Sequence, residues 1–330
     1  MSRSTLVTWA VFTALLSMAL FVAACSSDLS GPALVGAEPV QAASQEAAEP
    51  AAADPAPQEE VAAEAAAEEE FPDEHFANLL ELDPSQFDHA TTIDNPWKPL
   101  KPGTQYVYEG ITVENGEEIP HRIIFTVTDL TKVINGVRTV VILDQDISDD
   151  ALVEAELTFF AQDNEGNVWH LGQYRETYDE TEFVGGRVWL VDLPEGAKAG
   201  IMMKAHPEQD SSDYSQGYAP APFNWTDRAR VYEVGQQTCV PYDCFDNVLV
   251  IEEYNQEEPG AFQLKYYAQG VGVVRVGWRG DDSQQETLEL VEVIELDEEA
   301  LAEVRAHALE LEERAYMYSR TQPAELLPAQ

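Results

Sequence analysis

The chain has 330 residues, 61 Asp and Glu against 18 Lys and Arg, and a formal net charge of −43. That balance excludes a protein that binds nucleic acid by neutralising phosphates. Hydrophobic residues at 45% and six Trp are enough for a real core, so wholesale disorder is excluded too.

Residues 1–24 carry Arg3 as their only charge, and an apolar run from Leu6 to Ala24 stops at Cys25. This is the architecture of a secretory signal. At 19 residues the run is nearly long enough to span a bilayer, so a retained helix is the competing reading. The junction Val22-Ala23-Ala24-Cys25 resembles the lipobox of bacterial lipoproteins, in which the Cys thiol receives a diacylglyceryl group before cleavage. Small residues let the backbone enter the peptidase cleft, and the thiol is the nucleophile. Cys25 is therefore expected to be the lipidated mature N-terminus, held on a membrane by palmitate-type acyl chains at about 0.8 kcal/mol per buried CH₂. The predicted location is the bacterial cell envelope, with the domain outside the cytoplasm. Ser26 after the Cys fits outer-membrane sorting in bacteria with two membranes.

Residues 25–70 read as lipid anchor and linker. From Ser26 to Glu70 there are 11 acidic residues and no Lys or Arg, and Glu60, Glu64 and Glu68 repel at four-residue spacing. A flexible chain of this length spans roughly 40 Å, which would hold the domain clear of the membrane.

Residues 71–296 read as one mainly β domain. Alternating β-branched and aromatic runs such as Tyr106–Tyr108, Ile123–Val127, Val137–Leu143, Leu157–Phe160, Val248–Ile251, Phe262–Tyr267 and Leu288–Ile294 predict about ten strands. Asn115-Gly116, Asn135-Gly136, Glu165-Gly166-Asn167 and Gly185-Gly186 are read as hairpin tips. Short turns without intervening helices predict a curled antiparallel sheet, open or closed into a barrel. With 42 acidic and 14 basic side chains, the domain surface suits a saline medium, cations or cationic partners.

Within it, Cys239 and Cys244 flank the turn formers Pro241 and Asp243. An exported chain favours a local disulfide, against a metal or redox thiol pair, because a lone CxxxxC lacks the second ligand pair of a zinc site and the spacing of a redox motif.

Residues 297–330 change period. Leu301, Val304, Ala308, Leu311, Ala315 and Tyr318 predict one C-terminal amphipathic helix, capped by Asp297 and followed by a tail.

Three segments carry a resemblance. Ile93-Asp94-Asn95-Pro96-Trp97-Lys98-Pro99-Leu100-Lys101-Pro102-Gly103-Thr104, Asp163-Asn164-Glu165-Gly166-Asn167-Val168-Trp169 and Tyr266-Tyr267-Ala268-Gln269-Gly270-Val271-Gly272 resemble a family of uncharacterised bacterial exported proteins and lipoproteins over roughly residues 90–295. The last hairpin is also similar to domains with the open curled sheet of lipoprotein carriers. The resemblance implies an exported β domain and brings no activity with it. Physically the first segment is an extended strap, stiffened by three prolines and anchored by Trp97.

No HExxH, GxSxG, phosphate loop or haem motif is present, so no cofactor is implied, and binding or scaffolding is favoured over catalysis. The alternatives are a glycosidase-type hydrolase acting outside the cytoplasm or a weak calcium-binding module. Two carboxylates meeting in a cleft beside aromatics would favour the hydrolase, and an apolar cavity or groove without converging polar groups would favour binding. Asp144, Asp146 and Ser148 offer alternating oxygens, but Asp149 stands where an EF-hand needs Gly. Met203 and His206 are candidate soft-metal ligands. Tyr214, Tyr218, Phe223 and Trp225, in a long irregular stretch, are candidates for the mouth of a ligand site or a protein contact. The expected partners are the membrane, through the lipid, and a small molecule or protein.

Overall fold

The computed structural model describes residues 79–179, 182–221, 223–316 and 321–328. The leader, Cys25 and the acidic linker lie outside the described residues, as does Tyr318.

Among the described residues fifteen strands follow in chain order: β1 Thr104–Glu114, β2 Glu117–Ile134, β3 Val137–Ser148, β4 Ala151–Gln162, β5 Val168–Asp179, β6 Glu182–Leu190, β7 Lys198–Met203, β8 Tyr214–Ser215, β9 Gly217–Tyr218, β10 Arg228–Cys239, β11 Cys244–Tyr254, β12 Ala261–Ala268, β13 Gly272–Gly280, β14 Thr287–Glu295 and β15 Glu325–Leu326. Among the described residues one α-helix, α1 Glu298–Ala315, precedes β15, and a short 3-10 turn spans Pro84–Gln86. All pairings are antiparallel, in the order β8-β10-β11-β12-β13-β14-β1-β2-β3-β4-β5-β7-β9.

The two ends of that path, β8 and β9, are separated in the chain by Gln216 alone. Tyr214 and Ser215 pair with β10, while Gly217 and Tyr218 pair with β7. This short segment is therefore the seam that brings the sheet into a nearly closed barrel and removes most of its exposed edges. Glycine is required on both sides of the seam: a Cβ on Gly200 would stand 2.0 Å from the Gly217 backbone nitrogen.

The turns follow chemistry legible in the sequence. Asn115 and Gly116, then Asn135 and Gly136, take positive φ at the tips of the β1–β2 and β2–β3 hairpins, as two-residue tips demand. The third tip holds Gly166 at positive φ. Gly185 and Gly186 correct the fourth expectation, because both lie inside β6 and pair with Thr177 and Glu176. A Cβ on Gly185 would meet nothing within 4 Å, so that glycine marks an open edge rather than a turn.

Helix α1 begins where Asp297 accepts a hydrogen bond from the Ala300 amide at 2.9 Å. Its Ala308, Leu311 and Ala315 are buried, and it lies over the outer faces of β2, β4 and β5. The tail beyond it returns to the sheet, with Glu325 and Leu326 pairing to Thr131 and Leu130 of β2. Cys239 and Cys244 are disulfide-bonded across the β10–β11 turn.

The strap is held by its own side chains. Asn95 accepts from the Trp97 and Lys98 amides at 2.9 and 3.1 Å and donates to Gly166 and Lys204 carbonyls at 2.8 and 3.2 Å. The Gly270 amide donates to the Pro96 carbonyl at 2.7 Å. The three segments that carry the family resemblance thus meet at one end of the barrel. Trp97 is partly buried against the core, and Lys98 is carried inward.

Candidate functional site, a charged cavity inside the barrel

The barrel interior contains a cavity of about 90 Å³, room for several waters or one small organic molecule. Its wall follows from period two and register. Tyr108, Ile123, Asp146 and Glu154 form one cross-strand row, and Tyr106, Phe125, Asp144, Glu156 and Arg175 form the next. Each row starts on apolar and aromatic side chains of β1 and β2 and reaches carboxylates on β3 and β4, the second running on to Arg175 of β5. Across the interior, β12, β13 and β14 supply Lys265, Tyr267, Val273, Val276 and Leu288, and the strap supplies Lys98 and Leu100. The lining combines apolar and aromatic side chains with the carboxylates of β3 and β4 and the ammonium groups of Lys98 and Lys265.

Placing Asp144 directly opposite Glu156, and Asp146 opposite Glu154, puts like charges across from each other, which is ordinarily destabilising in a sheet. All four are buried. Arg175 pairs with Glu154 and lies 3.6 Å from Glu156. Lys265 pairs with Glu253 at 2.5 Å, and His121 lies 3.0 Å from Glu286 and 3.5 Å from Asp146. Among the described residues, Asp144 Oδ2, both Asp146 oxygens, Glu154 Oε1 and Glu156 Oε2 have no hydrogen-bond partner.

The titration behaviour follows. Burial, reinforced by Glu154, pushes Asp144 up to about 7 against the pull of Lys265 and Lys98. Burial likewise raises Asp146 well above the carboxylate range, with His121 opposing. Burial raises Glu156 too, reinforced by its neighbour Glu154 and opposed by Arg175. Lys98 is lowered to about 8 by burial and then by Lys265, and its ammonium lies 5.0 Å from the Phe160 ring centroid and 5.5 Å from that of Phe125. At His121 burial works downward, but the Glu286 hydrogen bond and the Asp146 charge carry it to about 9.

The residues singled out from sequence lie elsewhere, with one exception. Tyr214 and Tyr218 form the seam, both at 4% exposure. Phe223 and Trp225 join Trp189 in a separate buried aromatic cluster. There the ring of His170 lies 5.1 Å from both Trp189 and Trp225, and burial lowers its pKa to about 3. None of the four lines the cavity. Tyr214 instead borders a separate, more open recess together with His206 and Lys204. Met203 is in the core while His206 is exposed, so the structure does not bring this pair together. Among the described residues no three His, Cys, Asp or Glu side chains are grouped to hold a metal ion.

The exception is Asp144-Gln145-Asp146. Its alternating oxygens belong to a strand, not a calcium loop, and they point into the barrel. Asp163 is spent on its turn, accepting from the Glu165 and Asn167 amides at 3.0 and 2.8 Å and from Trp169 Nε1 at 2.8 Å. Sequence reasoning missed Lys98, Glu154, Glu156 and Lys265. The available signal was two acids two residues apart, Glu154 and Glu156, inside a run otherwise rich in strand formers.

No family model matches this chain, and no curated protein matches it. Two solved structures are similar in outline. One, from Bacteroides fragilis, is named a "putative exported protein with YmcC-like fold"; it is 11% identical, with 60% of this chain and 98% of that chain covered at a TM-score of 0.35. The other, from Parabacteroides distasonis, is named a "putative lipoprotein"; it is 13% identical, with 62% and 99% covered at a TM-score of 0.35.

Proposed function

We propose that this chain is a lipid-anchored protein of the bacterial envelope, acylated at Cys25, whose barrel binds a small, partly apolar molecule in its interior. The observation that carries the reading is the cavity itself, whose lining combines apolar and aromatic side chains with carboxylate oxygens that are buried and lack partners. Buried polar groups without partners cost free energy, and a binding site is the common reason to retain them. The leader, the Cys25 junction and the acidic linker support the address.

The carboxylates also meet the condition set for a hydrolase, since they converge beside Tyr106 and Tyr108. Asp144 and Glu156, however, stand side by side on neighbouring strands and reach a bound molecule from the same wall. Glycosidase acids flank the scissile bond from two sides, so binding is the better reading.

Two measurements test it. Labelled palmitate should enter the wild-type chain and not Cys25→Ser; label-free wild type overturns the anchor. Calorimetry with butan-1-ol should show saturable binding that Val276→Phe abolishes by filling the cavity while the chain stays folded. Binding unchanged in Val276→Phe would place the ligand elsewhere.

A further inference from the structure

The barrel interior does not balance its charges. Six buried acids face inward or border the cavity: Asp144, Asp146, Glu154, Glu156, Glu253 and Glu286. Four buried bases meet them: Lys98 from the strap, His121 from β2, Arg175 from β5 and Lys265 from β12. Three of those bases are committed. Arg175 holds Glu154, Lys265 holds Glu253, and His121 lies against Glu286. Lys98 makes no ion pair within 4 Å and rests against two aromatic rings. What is left over is negative and lies on Asp144, Asp146 and Glu156: among the described residues Asp144 Oδ2, both Asp146 oxygens and Glu156 Oε2 accept no hydrogen bond, and the nearest base to Asp146 is His121 at 3.5 Å.

An enclosed excess of negative charge must be neutralised, because an isolated carboxylate in a low-dielectric interior is prohibitively costly. Protons can do this, as the raised affinities of Asp144 and Asp146 for protons indicate. A ligand cation can do it as well, and it can also donate the missing hydrogen bonds. The cross-strand neighbours of these two residues on β2 are Phe125 and Ile123, so a head group on the carboxylates lays its body against hydrocarbon.

Building on the cavity-binding reading above, we infer that the ligand is a small organic ammonium, its charged head on Asp144 and Asp146 and its apolar body against Ile123, Phe125, Val276 and Leu288. Binding exchanges a cation for a proton: a carboxyl group of the pair releases H⁺ to solvent, and the resulting carboxylate accepts an N–H of the ammonium. No covalent bond is made.

The experiment compares three probes of one shape, n-butylamine, butan-1-ol and sodium butanoate, titrated calorimetrically into the full chain at pH 6.5 in two buffers of different ionisation enthalpy. The amine should bind at least tenfold more tightly than the alcohol, with heats that differ between buffers and report proton release, and butanoate should bind weakest. Asp144→Asn and Asp146→Asn, tested separately, should each bring the amine down toward the alcohol's affinity and leave the alcohol within about twofold of wild type. If one variant fails to fold, the other and the buffer dependence still decide. Alcohol binding with no preference for the amine, or butanoate binding tightest, overturns the inference and leaves the cavity reading standing. Failure of all three probes to bind overturns both.

Discussion

The two faces of the sheet between β2 and β5 treat buried charge in opposite ways. On the outer face, under α1, every acid has a donor. Glu176 receives Arg314 through two bonds at 2.6 and 2.8 Å and the Tyr174 hydroxyl at 2.7 Å. Glu312 receives Lys132 at 2.6 Å, the Tyr316 hydroxyl at 2.9 Å and the Ala324 amide at 3.1 Å. Asp129 is gripped by both ends of Arg305. On the inner face, Asp146 has no closer partner than His121 at 3.5 Å, and Asp144 faces Glu156. Ionic groups that only fasten a helix to a sheet are completed by their own chain. Those that line the cavity are left incomplete by their own chain, and the ammonium proposed above would complete them.

Removing one member of a finished pair should cost most. Lys132→Met strands Glu312 under the helix, and loss of about 3–5 kcal/mol in urea unfolding at pH 7 is expected. A loss below 1 kcal/mol would mean that the outer pairs are no better built than the inner ones.

Asp144→Asn should do the reverse. Its carboxyl is held near 7 in the fold against 3.8 for the ordinary group. The folded state therefore keeps a proton that the unfolded chain gives up, so the associated stability is intact below about pH 4 and is lost as pH climbs to 7, at about 1.4 kcal/mol per pH unit. The Asn variant escapes that loss. It should be more stable than wild type at pH 8, by roughly 2–4 kcal/mol on this slope, and show little of that gain at pH 4. Destabilisation at pH 8 would mean that Asp144 is as well paired as Glu176.

His170 gives the opposite slope. With its folded pKa near 3 against the usual 6.5, the unfolded chain takes up a proton first, and stability present above pH 6.5 drains away as pH falls. Relative to His170→Phe, wild type should lose about 2 kcal/mol between pH 6.5 and pH 5, as read by denaturant unfolding at the two pH values. Parallel profiles would remove His170 from the account.

The smallest effect belongs to the helix that covers the outer pairs. Asp297→Ala should cost about 1 kcal/mol through loss of the cap on Ala300, measurable as a lowered unfolding midpoint.

From sequence, the alternating runs, the tips at Asn115-Gly116 and Asn135-Gly136, and the helix opened by Asp297 were legible because each rests on chemistry confined to a few neighbouring residues. The site was not. In β4, Leu157 and Phe159 are fully buried on the outer face; the Lys132 ammonium that binds Glu312 of α1 lies 5.9 Å from the Phe159 ring centroid. Glu154 and Glu156 take the interior. Assigning the apolar side of this strand to the inside would have turned it over. Alternation states that a strand has two unlike faces, and here a remote helix decides which one is covered. Barrel closure through Tyr214–Tyr218 likewise depended on pairing two residues with β10 and the next two with β7, an arrangement set by strands distant in the chain. Local chemistry thus determined strands, turns and helix, while only the tertiary pairing of distant segments decided which side chains enclose the cavity.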